Sequence, residues 1–213
     1  MALIISTACS EHPVTIQNDS PGSSGTGTVS SAARTEQQTN PFNPTVGAPI
    51  DYDQGERWID NYESSSTTQA TTYTIKSAPL ATILSGGNCV GISLVYAVDF
   101  QQRLHILPIG VNSNGRWIKS KTVYTQNGDV TWQTAQCWIK NYTGSVQSHF
   151  FGQNTFSRLW TGGKADVVVS FARDDNNNPQ LLLTAPSPAR TNGRTAGSGY
   201  EDASSPCPPV CPK

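Results

Sequence analysis

The chain has 213 residues, 36% hydrophobic and only 14% charged, and its 14 Lys and Arg against 15 Asp and Glu leave a net charge of −1. That balance offers no basic footprint for nucleic acid or for an anionic membrane surface, and no run approaches the roughly eighteen apolar residues of a spanning helix. The length gives room for one medium domain or two small fused ones, and the abundance of Ser, Thr, Asn and Gln is common on exported proteins.

The first residues, MALIISTACSEHP, carry a short apolar run ahead of Ser6-Thr7-Ala8-Cys9. This resembles the end of a bacterial lipoprotein signal, in which small residues precede a cysteine that becomes lipidated. The resemblance covers only the cleavage region, because a basic n-region is missing and the apolar part is shorter than the usual ~7–15 residues. It implies lipidation at Cys9, and so a lipid anchor at the cell envelope without a transmembrane span. The competing reading is a frayed cytoplasmic N-terminus with Cys9 buried or free. Residues 10 to about 48 are rich in Ser, Thr, Gly, Gln, Asn and Pro without apolar periodicity. They read as flexible linker, so residues 1–48 form the first segment.

Residues 49–118 read as a module. Trp58, Ile59 and Tyr62, at i, i+1 and i+4, place an aromatic-aliphatic stripe on one helix, capped by Asp51 or Asp53. Leu80, Ile83 and Leu84 mark a second, short helix with Ser77 as its cap candidate, and Gly86-Gly87 ends it. A β-rich run from Cys89, a turn at Asp99 to Gln102 and a second apolar run complete a hairpin. Residues 119–129 are an inter-module hairpin or linker around Asn127-Gly128. Residues 130–194 then repeat the order. Trp138, Ile139 and Tyr142 follow cap candidates Thr131 and Thr134. Phe156, Leu159 and Trp160 follow Asn154, and Gly162-Gly163 and a turn at Asp174 to Pro179 come next. WIDNY at 58–62 lies against WIKNY at 138–142, and Gly86-Gly87 against Gly162-Gly163, at offsets of 80 and 76. The drift falls in a polar loop, where two diverged copies vary in length. The pattern is that of an internal duplication: an α+β fold whose helix-helix-strand-strand module occurs twice, most simply forming one antiparallel sheet packed with helices on one face, the alternative being two separate small sheets. Residues 195–213 read as a flexible Pro/Cys tail.

The W-I-x-N-Y helix, the second helix and the Gly-Gly-Asn-Cys-Val-Gly-Ile start of the hairpin resemble a pattern in uncharacterised bacterial exported proteins, some with a cysteine-proline tail. The resemblance is best over residues 50–116, and it implies bacterial origin and no particular activity.

Chemistry-bearing residues are few. Cys89 with His105 is the one cysteine-base pairing to test, since a nucleophilic thiol needs a base in space; otherwise Cys89 is a small buried residue and His105 faces solvent. Trp117, Tyr124 and Trp132 form either a sugar-stacking or partner-anchoring surface, or the seam between modules. Asn61 and Asn141 repeat with the helix and are expected to bond a neighbouring loop's backbone. Asp174 to Asn178 is oxygen-rich but lacks the spacing of a calcium loop. The tail favours a Cys207–Cys211 disulfide. No metal site or cofactor is indicated. These features point to a non-enzymatic bacterial cell-surface or secreted module that acts on a protein or surface partner. The alternatives are a small cysteine-dependent hydrolase using Cys89 and His105, and a carbohydrate-binding module using Trp117, Tyr124 and Trp132.

Overall fold

The computed structural model describes residues 41–65, 71–185, 199–202, 205–207 and 211–212; Cys9 and the lipoprotein-like start lie outside them. The first half runs β1 (Ala48–Ile50), α1 (Tyr52–Ser65), β2 (Thr72–Ile75), α2 (Ser77–Leu84), β3 (Cys89–Val98) and β4 (Leu104–Asn112). After a ribbon of β5 (Thr122–Val123) and β6 (Val130–Thr131) come α3 (Trp132–Asn141), β7 (Ser148–Gly152), α4 (Gln153–Leu159), β8 (Val167–Arg173) and β9 (Pro179–Thr184). β10 (Tyr200–Asp202) and β11 (Ser205–Cys207) close the chain. The class is α+β, as expected. Each half contains a short strand between its two helices, which the helix-helix-strand-strand reading omitted. β2 and β7 hold only 4 and 5 residues, too few for alternation to stand out beside the helix that follows.

The strands divide between two main antiparallel sheets, the alternative to a single shared one. Their orders are β1-β10-β9-β8-β2 and β11-β7-β3-β4. The connectivity is crossed: β2 pairs with β8, Ile75 opposite Val167, and β7 pairs with β3, Phe151 opposite Ile92. Each central hairpin therefore takes a flanking strand from the other half of the chain.

Period-two alternation then sets the layers. Ile92, Leu94 and Tyr96 of β3 and Val167, Val169 and Phe171 of β8 meet in one buried core, joined by Leu80, Ile106, Phe156 and Leu181. On the opposite face of β3 and β4, Ala97 and Leu107 pack under Ala135, Trp138 and Ile139 of α3. On the opposite face of β8 and β9, Ala172 and Leu182 pack under Trp58 and Ile59 of α1. The layers are helix, sheet, sheet, helix, and α1 and α3 each cover the hairpin of the other half. Helices on both outer faces replace the expected single covered face.

Two segments read as flexible are built into the sheets. Phe42 and Val46 are buried against Val111 and Phe150, the two phenyl rings 5.2 Å apart, so residues 41–48 are packed chain. β10 lies between β1 and β9, and β11 extends β7, so residues 200–202 and 205–207 are sheet rather than free tail. Composition misleads here because strand addition satisfies backbone groups whatever the side chains. Glu201 of β10 also accepts a two-point pair from Arg158 of α4, at 2.8 and 2.6 Å. A Cβ on Gly55 would stand 2.0 Å from the Tyr200 ring, so β10 approaches α1 only because that residue is glycine.

Thr131 caps α3, its Oγ accepting from Thr134 N at 3.1 Å. Ser77 and Asn154 are not side-chain caps. The start of α2 is closed by Asp166 Oδ1, which accepts from Ser77 N at 3.0 Å, and α4 is entered through Gly152.

Candidate functional site: a cleft where the two halves meet

Cys89 opens β3 opposite Asn112, whereas His105 lies opposite Ala97, eight residues further along the same strand. At about 3.3 Å per residue that is roughly 25 Å, so the two cannot act together. The buried Cys89 thiol donates to Gly91 O at 3.2 Å, and burial pushes its pKa up, away from the reactive thiolate. His105 does not face solvent. It is buried, stacked on Trp138 at 4.7 Å, with Nε2 3.0 Å from Asp99 Oδ2. Burial alone would push the Asp99 carboxyl up. Bonds from the His105 ring, the Arg103 and Gln101 amides and the Arg103 side chain outweigh it and hold the group well below the usual carboxylate range. This cluster closes the β3–β4 turn.

Trp117 and Trp132 meet edge to face, rings 6.3 Å apart at 78°, against the outer core under α3, while Tyr124 packs on the central core. The three residues are half-buried in two places and offer no flat platform, so they sit where a seam would. Cys207 and Cys211 are disulfide-bonded, Cys137 is also disulfide-bonded, and Cys89 is the free thiol among the described residues. No group of three or more His, Cys, Asp or Glu side chains among the described residues is placed to hold a metal ion.

The repeated helix residues converge instead. Asn61 Nδ2 donates to Arg173 O, the end of β8, at 3.3 Å, and Asn141 Nδ2 donates to Val98 O, the end of β3, at 3.2 Å. At the next residue, Tyr62 stacks on Phe171 at 5.3 Å and Tyr142 stacks on Tyr96 at 5.1 Å. Tyr96 and Phe171 approach each other at 6.0 Å, so four rings run in a row across the junction of the halves. The turns beyond them match as well. Asp99 Oδ1 accepts from Gln101 N and Arg103 N, and Asp174 Oδ1 from Asn176 N and Asn178 N, with Gln102 and Asn177 left-handed at φ 63° and 65°. Asp174 is thereby a turn-closing carboxylate.

Over this row opens a cleft of about 650 Å³, walled by Tyr62, Tyr96, Tyr142 and Phe171, by Val98 and Leu104, and by Arg173. Its size is that of a small-molecule site. The Tyr142 ring folds over Gly144, where a Cβ would meet the ring directly. Desolvation raises the Tyr96 hydroxyl well above its ordinary pKa and Tyr142 less so, which keeps both as O–H donors. Helical spacing marks Tyr62 and Tyr142 only as part of a core stripe, and Tyr96, Phe171 and Arg173 do not stand out among candidate site residues. The signal for Tyr96 and Phe171 was their place three residues before the turn-forming Asp99 and Asp174 in each half. Arg173 has no such signal, because its counterpart is Val98.

No family model, curated protein or solved structure matches this chain. Fold and site together define the class: an α+β protein of two face-to-face antiparallel sheets flanked by helices, with an aromatic cleft at the junction of its halves.

Proposed function

We propose that the protein is a non-enzymatic bacterial module, exported to the cell surface or secreted, that works by binding, and that the junction cleft is its recognition site. The observation that carries this is the cleft itself: about 650 Å³ walled by three tyrosines, a phenylalanine and a single cation, with hydroxyls but no Cys, His, Asp, Glu or Lys beside them to act as thiol nucleophile or general base. Cys89 and His105 lie roughly 25 Å apart along the sheet, which leaves the hydrolase reading without its dyad. Disulfides at Cys137 and Cys207–Cys211 favour an oxidising compartment. No helix among the described residues is long and apolar enough to cross a membrane, which is compatible with secretion.

We also read the halves as one module written twice. The order helix, strand, helix, strand, strand recurs. The Asn61 and Asn141 bonds, the two ring stacks and the two Asp-closed turns fall at corresponding places, which supports descent from one unit.

Two-dimensional NMR of labelled protein against a fragment collection tests the site. Saturable shifts should cluster on Tyr62, Tyr96, Tyr142 and Arg173. Shifts confined to other surfaces would remove the cleft as the site. Turnover of an ester or peptide that is lost in a folded Cys89→Ala protein would replace binding by hydrolysis.

A further inference from the structure

Arg173 is the one charged side chain in the cleft wall, and it has no counter-ion among the described residues. Its Nη1 donates to Asn177 O and Oδ1 at 3.2 and 3.3 Å, while Nε is buried without an acceptor. The neighbouring acids are committed elsewhere. Asp175 holds Arg57 by two bonds of 2.9 Å, and Asp174 closes its own turn. The bonding capacity left to a ligand is at the terminal nitrogens, where Nη2 has no hydrogen bond to the described residues, and a guanidinium without a counter-ion can take a carboxylate there.

The hydrogen-bonding character of the wall points the same way. The carbonyls of Val98 and Arg173, the acceptors at the strand ends, are already taken by Asn141 and Asn61. Tyr96 and Tyr142 stack on each other, which leaves the stacked face of neither ring to a ligand. The cation stands on one side only, because the place of Arg173 in the other half belongs to Val98, next to Leu104 and Val146 in the wall.

We infer that the cleft takes a small amphipathic carboxylic acid, its carboxylate on Arg173 and its apolar body against Val98, Leu104 and Val146. This rests on the cleft being the recognition site. Arginine suits the task because its planar fork matches a carboxylate and is weakly hydrated.

The probes are hydrocinnamate and its uncharged amide, titrated into the full chain by NMR, with thermal melts confirming that each variant is folded. Hydrocinnamate should bind at the cleft at least about tenfold more tightly than the amide, the order expected of a charge-assisted bond. Arg173→Gln should abolish that preference, and Arg173→Lys should keep most of it. Should the glutamine variant fail to fold, raising the salt concentration with the unaltered protein should weaken the acid more than the amide. Equal binding of acid and amide at the cleft, or a preference that survives Arg173→Gln, would overturn the acid while leaving the cleft as a site. Absence of both probes from a cleft that does bind other fragments would also overturn it. A cleft that binds nothing would remove the reading on which it rests.

Discussion

At His149 the ring is fully buried and neither nitrogen has a partner, so burial lowers its pKa from 6.5 to about 3. The sign follows from which state holds the proton. Between pH about 6.5 and 3 the unfolded chain is protonated at this residue and the folded chain is not. The neutral-ring contribution is therefore complete above pH 6.5 and declines as pH falls through that window. Urea unfolding at pH 6.5 and 4.5 should show a loss on the order of 2 kcal/mol from this residue. His149→Phe should remove that part of the pH dependence, and an unchanged dependence would assign it elsewhere. Trp58, buried between α1 and β8–β9, should cost about 3–5 kcal/mol when cut to alanine. Cys89→Ala removes only a small thiol and should cost clearly less, with binding retained; paired thermal melts and NMR titrations check both. Burial also predicts that a thiol reagent labels Cys89 only after unfolding, as peptide mapping by mass spectrometry would show.

At the scale of elements, the exchange of strands has a folding consequence. The central core draws Tyr73 and Ile75 from β2, Phe151 from β7, and facing residues of both hairpins. Neither half can bury its own apolar strand faces alone. Fragments cut within residues 119–129 should each be largely unfolded by circular dichroism and should recover the native spectrum when mixed; an independently folded half would contradict the exchanged sheets. The tail strand is a second case. Gly55→Ala places a methyl group inside the Tyr200 ring, so it should destabilise the protein by about 1–3 kcal/mol. Amide exchange should rise first at residues 200–202, which are held between β1 and β9.

For the whole molecule, the sequence determined what is local or periodic. Helical spacing at Trp58, Ile59 and Tyr62 and at Trp138, Ile139 and Tyr142 marks α1 and α3. Glycine pairs mark the ends of the short helices, and Asp99 and Asp174 mark the hairpin turns. Asn61 and Asn141 were legible as backbone-bonding residues because an amide repeated on a helix flank has few other uses. The tail disulfide was legible because a short loop keeps its cysteines close. Tertiary structure alone decided what depends on partners distant in sequence. Alternation shows that β3 has two apolar faces, but not that one meets β8 and the other α3, since pairing energy is nearly indifferent to which strand supplies it. The exchange of β2 and β7, the docking of β10 and β11, and the separation of Cys89 from His105 all follow from that choice. So does the cleft, where Tyr96, Phe171 and Arg173 gain meaning only once two hairpins meet: a lone arginine at a strand end is ordinary until its neighbours' carboxylates are seen to be engaged.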